Sequence, residues 1–139
     1  MTAAASAPSP SICPYLFYDD VEQAARFMQD AFAFTLIFSS PDPKGRLAHA
    51  QLGHGNGVIM LGHTDGGMRM VRSASALPAL HAAIYVYVDD VDAHCAKARA
   101  AGANVIVEPA DQPWGDRMYG CTDREGQFWM FAKRLLGSH

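Results

Sequence analysis

The sequence predicts an α+β protein built from two β-α-β-β-β repeats that form a cupped mixed sheet. Three observations predict it. The segment Pro14 to Ala25 reads nearly the same as Ile84 to Cys95, with Asp19-Asp20-Val21 falling on Asp89-Asp90-Val91 seventy positions later. The same offset carries Val58-Ile59-Met60-Leu61 onto Phe128-Trp129-Met130-Phe131. Each half also holds one segment of helical period among segments of alternating period. A repeat is a structural unit that buries its face against its copy. Two copies are too few for a solenoid, so they suggest paired half-sheets with a cleft between them.

Residues 12–18 alternate and are rich in aromatics, which suits a strand. Asp20 can cap the following helix, with Gln23 as capping-box partner. Val21, Ala24, Ala25, Met28, Ala31 and Phe32 share one face of that helix. Thr35 to Ser39 is a second strand, and Pro41-Asp42-Pro43-Lys44-Gly45 is turn chemistry. Leu47–Leu52 and Val58–Leu61 are strands joined by Gly53-His54-Gly55-Asn56-Gly57, a hairpin signal. The stretch 62–75 has no period and reads as a connection. In the second half, Ala83–Val88 is a strand, and Asp90 caps a helix from Val91 to about Ala101 that Gly102 stops. Asn104–Val107 is a strand and Glu108–Trp114 a loop. Arg117–Thr122 and Phe128–Ala132 are strands around Asp123-Arg124-Glu125-Gly126. The expected domain is single, 11–134, with modules 11–62 and 81–134 and a connection 63–80.

Composition narrows the function classes. Half of the 139 residues are hydrophobic and 18% are charged, which argues against disorder. The net charge of −3 comes without a basic stripe, so nucleic acid is not an expected partner. No apolar run is long enough for a membrane span, and Met1 to Ser11 lacks the features of a signal peptide. Three cysteines, Cys13, Cys95 and Cys121, have no framework spacing, so a reduced, cytoplasmic setting is expected. Gly137-Ser138-His139 is native or part of a tag, and carries no weight.

Strand alternation divides the side chains into two faces. Leu16, Ala48, Ala50, Leu52, Ile59, Leu61, Ile84, Val86, Val88, Trp129 and Phe131 make an apolar face for the helices. The other face takes Cys13, Tyr15, Phe17, Leu47, His49, Gln51, Val58, Met60, Ala83, Tyr85, Tyr87, Arg117, Tyr119, Cys121, Phe128 and Met130. Aromatic and methionine walls with a few polar groups are what a small-molecule pocket needs. A second buried core is the alternative, but Arg117 is hard to hide there, since a buried unpaired charge costs several kcal/mol. The candidate ligand-binding residues are therefore Tyr15, Phe17, Phe38, His49, Met60, Tyr85, Tyr87, Trp114, Arg117, Tyr119, Phe128 and Met130.

The two modules, the paired Asp-Asp-Val helix entries, Asp111-Gln112-Pro113-Trp114-Gly115-Asp116-Arg117 and Asp123-Arg124-Glu125-Gly126-Gln127-Phe128-Trp129 together resemble the vicinal oxygen chelate superfamily. That superfamily includes glyoxalase I, extradiol dioxygenases, and bleomycin and fosfomycin resistance proteins. The resemblance covers roughly residues 11–134 and implies the glyoxalase/bleomycin-resistance fold. It says less about activity, because one fold hosts many chemistries. In metal-using members the ligands fall where this chain has Cys13, Met60, Ala83 and Met130. None is His or a carboxylate, so no metal or other cofactor is expected. A one-residue shift offers Pro14, Ile59, Leu61, Trp129 or Phe131, which bind no metal either.

Two functions remain. One is a metal-free binding protein of the bleomycin-resistance kind, which sequesters a bulky aromatic compound such as an antibiotic. The other is a lyase or isomerase in the same cleft, with His49 as general base assisted by Arg117 and Tyr119. His49 is alternatively a hydrogen-bonded structural residue, and Arg117 a salt-bridge partner of Asp116, Asp111 or Glu108. Trp114 either stacks on a planar ligand or packs its own loop. Cys121 reads as a buried thiol. The resemblance also implies a homodimer with the cleft near or across its interface.

Overall fold

The computed structural model describes residues 9–136. The expectations for Met1 to Pro8 and for Gly137 to His139 lie outside the described residues. The first module runs β1 (Tyr15–Tyr18), α1 (Val21–Phe32), β2 (Thr35–Pro41), β3 (Leu47–His54) and β4 (Gly57–His63). The second runs β5 (Ile84–Tyr87), α2 (Val91–Ala100), β6 (Asn104–Asp111), β7 (Asp116–Thr122) and β8 (Phe128–Arg134). Each module folds into a four-stranded mixed sheet, in the orders β1-β4-β3-β2 and β5-β8-β7-β6. β1 pairs with β4, and β5 with β8, in parallel, while the remaining pairs are antiparallel.

The helix starts follow from their caps. Asp20 Oδ1 accepts from the Gln23 amide and Asp90 Oδ1 from the Ala93 amide, satisfying N–H groups that the first turn leaves without a partner. The reciprocal half of the expected capping box goes elsewhere. Glu125, from the second module, accepts from the backbone amides of both Asp19 and Asp20, at 2.8 and 2.9 Å. Glu125 also accepts from Ser73 Oγ at 2.7 Å, so one carboxylate pins the connection between the modules and the entry to α1.

The loop expected after Val107 is strand. β6 runs on to Asp111, with irregularities in its pairing to β7 between Val105 and Val107 and between Val107 and Ala110. Such bulges insert residues that break simple alternation, which is why Glu108 to Asp111 did not read as a strand.

The core lies where both modules turn their helix-side faces together. It is one contiguous cluster holding Phe27, Met28, Phe32 and Phe34 of the first module and Val91, Cys95, Tyr119, Cys121, Trp129 and Phe131 of the second. The Phe32 ring lies 5.1 Å from Trp129 and 4.7 Å from Phe131. α1 and α2 also touch. Trp129, Phe131, Ala50, Leu52 and Leu61 are fully buried. The cleft expected between the half-sheets is thus filled by helices and aromatic core, and each sheet's other face looks outward. Among the described residues no helix is long and apolar enough to cross a membrane.

Candidate functional site

The outer face of the first sheet is assembled by strand register. Tyr15 lies beside Met60, Phe17 beside Gly62, and His49 beside Gly62 on its other edge. Phe38 on β2 neighbours Gln51 on β3. Tyr15 and Phe17 stack with centroids 5.0 Å apart. They lie flat because Gly62 has no side chain: a Cβ there would sit 2.8 Å from Tyr15 Cε1 and 3.2 Å from Phe17 Cε1. His49 joins the polar groups of this wall. Its Nδ1 lies 3.1 Å from the Tyr15 hydroxyl and its Nε2 3.1 Å from Gln51 Nε2. A depression of about 630 Å³ continues from Tyr15, Phe17 and Gly62 to Lys44, Arg46 and Met68 at the rim. Arg46 is held there by Asp42 and Asp65, each at 2.9 Å or less.

The outer face of the second sheet carries Tyr85 beside Met130, with Phe128 and Met130 on β8. Here the polar centre is a carboxylate. Asp116 Oδ2 accepts from the hydroxyls of Tyr85 and Tyr87, at 2.7 and 2.9 Å. Trp114 Nε1 donates to Tyr85 Oη at 3.0 Å, so this Trp is edge-bonded into the wall. Burial, with the Asp116 hydrogen bond second, pushes the Tyr85 hydroxyl up to about 12. The Arg134 guanidinium sits 4.1 Å over the Tyr87 ring, a cation–π contact. A second depression, about 350 Å³, lies between β5 and the β3–β4 hairpin, where His54 Nε2 donates to the Tyr87 carbonyl at 2.7 Å.

The structure thus puts Tyr15, Phe17, Phe38, His49 and Met60 on one outer wall, and Tyr85, Tyr87, Trp114, Phe128 and Met130 on the other. It does not put Arg117, Tyr119 or Cys121 there. These three share the helix side of β7, where Tyr119 pairs with Phe131 and Cys121 with Trp129 of β8. Arg117 binds Asp92 of α2 and Asp111 of β6, a structural ion-pair network. Tyr119 is fully buried and 2.6 Å from His94 Nδ1. Cys121 is a buried thiol that desolvation raises to about 12. The anion clamp and third member of the expected His49–Arg117–Tyr119 set are therefore on the wrong face.

The cause is a slip in the repeat. Met60 and Met130 are 70 positions apart, but their neighbours Gln51 and Gly120 are 69 apart. The second module is one residue shorter between helix and second strand and one longer in its hairpin. A one-residue shift exchanges the faces of a strand. The slip also hid Asp116, the polar centre of the second wall. Its partners gave no local signal, because Tyr85 and Tyr87 lie on β5, with β8 between β5 and β7 in the sheet.

The positions that the resemblance implied for metal ligands hold Cys13, Met60, Ala83 and Met130, and Cys13 Sγ faces the Pro10 carbonyl at 3.7 Å. Two thioethers, one thiol and a methyl group do not fit a divalent ion. No group of three or more His, Cys, Asp or Glu side chains is placed to hold a metal among the described residues.

Two βαβββ modules, each a four-stranded mixed sheet with one helix, make up the fold. The chain belongs to the Glyoxalase/Bleomycin resistance protein/Dioxygenase superfamily, whose family model matches residues 11–131. It is similar to the Mycobacterium bovis protein Mb0911c, with 34% identity over 128 residues, covering 89% of this chain and 83% of that one. Among solved structures it resembles TioX from Micromonospora sp. ML1, with a TM-score of 0.72 and 32% identity, over 91% of this chain and all of that one. TnmS3, an antibiotic binding protein from Streptomyces sp. CB03234, superposes with a TM-score of 0.68 at 22% identity, over 91% and 96% of the two chains.

Proposed function

We propose that this protein is a metal-free receptor that sequesters a bulky, flat, aromatic compound, an antibiotic-binding role like that named for TnmS3. A second copy of the chain is proposed to complete the cup. The observation that carries this reading is the pair of open aromatic walls. Tyr15, Phe38, Tyr85, Tyr87 and Trp114 are each 37–51% exposed on outer faces that the chain's own helices do not cover. Aromatic surface left in water is a source of binding energy, and planar rings are its natural occupants. Neither wall is closed by itself. Pairing the first module of one chain with the second module of another supplies two walls to one ligand.

The catalytic alternative keeps His49 but loses Arg117 and Tyr119 as helpers. Both His49 nitrogens already have hydrogen-bond partners, which suits positioning better than proton abstraction. A lyase or isomerase reading would require His49→Ala to abolish a turnover while binding persists.

The test is titration of the purified protein with a panel of planar aromatic antibiotics, reading Trp fluorescence and melting temperature. Trp114 on the second wall is expected to quench, and melting to rise with ligand concentration as linkage requires. No response across the panel sinks the receptor. A strictly monomeric mass at micromolar concentration sinks the shared cup.

A further inference from the structure

Arg46, at the rim of the first wall, has two carboxylate partners that hold it in different ways. Asp42 is the anchor. Its side chain is 14% exposed, its Oδ1 accepts from the amides of Lys44 and Arg46 at 2.9 and 3.1 Å, and its Oδ2 accepts from Arg46 Nε at 2.9 Å. Asp65 is the outer partner. Its side chain is 58% exposed, and its two oxygens accept from Arg46 Nη1 and Nη2 at 3.0 and 2.9 Å. That is the fork in which a guanidinium takes any carboxylate. The hydrogen bonds from Arg46 hold the Asp65 carboxyl below the usual carboxylate range, and the Lys44 charge adds to them. An exposed ion pair contributes little to stability, so the fold does not depend on Asp65 to keep Arg46 in place. Gly66 and Gly67 follow Asp65 and give its backbone freedom to move aside. Lys44, Arg46 and Asp65 line the same depression as Tyr15 and Phe17.

Resting on the receptor reading, we infer that Arg46 is a clamp for an acidic group of the ligand, and that Asp65 is the intramolecular stand-in which that group displaces. The occupant of the first wall is then a planar aromatic acid, with its rings against Tyr15 and Phe17 and its carboxylate on Arg46. Asp42 keeps the guanidinium oriented while the outer fork changes hands. Lys44 supplies a second positive charge to the incoming group, since its ammonium makes no ion pair among the described residues. A neutral ring of the same shape gains the aromatic contact but leaves Asp65 on the clamp. The first wall thereby gains a discrimination that apolar area alone does not give.

Two probes with one ring system separate the terms: anthracene-2-carboxylate and anthracene-2-carboxamide, titrated at low micromolar concentration against the full chain and read by fluorescence anisotropy. The wild type is expected to bind the carboxylate about threefold tighter than the amide. Asp65→Asn removes the resident competitor and is expected to raise carboxylate affinity about tenfold more, as for a clamp that Asp65 occupies roughly nine-tenths of the time, with no matching gain for the amide. A merely structural ion pair gives no such gain on being broken. Arg46→Gln is expected to bring the carboxylate down to the affinity of the amide. In the double variant the gain from Asp65→Asn is expected to vanish, because Asp65 acts through Arg46 and not through the general field of the rim. Equal affinity of Asp65→Asn for the two probes overturns the inference while leaving the receptor standing, as does a gain that persists in the double variant. If Arg46→Gln does not fold, Asp65→Asn, on an exposed side chain, decides alone. Failure of the wild type to bind either probe removes the receptor reading, and this inference with it.

Discussion

The two modules share a backbone plan but join each other by unlike chemistry. Equivalent hairpin positions hold His54 in the first module and Asp123 in the second, 69 residues apart. His54 makes one hydrogen bond to the other module, to the Tyr87 carbonyl. Asp123 is 7% exposed and accepts four: from Tyr18 Oη at 2.6 Å, Trp129 Nε1 at 3.1 Å, and the amides of Glu125 and Gln127. Tyr18 belongs to the first module, so the carboxylate is a buried tie between the halves. The difference teaches that a duplicated fold need not keep a symmetric interface. One junction is a polar lock, and the other is a surface contact.

The largest expected effect breaks that lock. Asp123→Ala strands the Tyr18 hydroxyl and the Trp129 N–H in the core, and removing the acceptor from buried donors costs about 1–3 kcal/mol for each. The expected loss is about 3 kcal/mol or more by urea denaturation, against about 1 kcal/mol or less for His54→Ala. Losses of equal size would show that the two junctions carry the same load.

The asymmetry marks the limit of what the sequence shows. Both caps were legible because an Asp two residues after an alternating strand and before an apolar helical face has one natural role. The helix-side faces of β3, β4 and β8 were legible because Leu52, Leu61, Trp129 and Phe131 are large and apolar, and each has an apolar residue two positions away on the same face: Ala50, Ile59 and, for Trp129 and Phe131, each other. β7 was not legible. Arg117, Tyr119 and Cys121 look like pocket residues in isolation, and only the strand pairing shows that they point at α2. Glu125 was also silent in the sequence, since its partners lie in the other module, more than a hundred residues away.

A smaller effect sharpens the comparison at the helix contact. His94 on α2 falls 70 positions from Ala24, which has no ionisable side chain. His94 Nε2 donates to the Phe32 carbonyl at 3.1 Å, and its Nδ1 accepts from Tyr119 at 2.6 Å. Burial lowers its pKa below the usual 6.5. The folded state therefore favours the neutral ring. The unfolded chain binds a proton first as pH falls, so the stability from this group is complete above about pH 6.5 and declines below it. His94→Gln is expected to cost about 1–2 kcal/mol at pH 7.5 through its two hydrogen bonds. It should also flatten the fall in stability between pH 7 and 5. An unchanged pH profile in the variant would assign that fall to other groups.

The smallest effect concerns how each helix ends. α1 closes on Ala33 at φ 62°, with the Phe34 amide returning to the Met28 carbonyl at 3.1 Å. α2 closes through Gly102 at φ 106°, with the Ala103 amide returning to the Ala98 carbonyl at 3.0 Å. Both use a left-handed residue to turn the chain into the next strand, but only one has the residue that adopts it without a Cβ clash. Ala33→Gly should relieve that strain and stabilise by about 0.5–1 kcal/mol, less the entropy that glycine returns to the unfolded chain. Gly102→Ala should destabilise by about 1 kcal/mol or more, because its Cβ would also meet Arg124 Nη2 at 3.1 Å. Opposite signs in the two melting temperatures are the expected result. If both variants are destabilised, the entropy that glycine returns to the unfolded chain outweighs the strain of a left-handed alanine at Ala33, which is exposed and has little packing to lose.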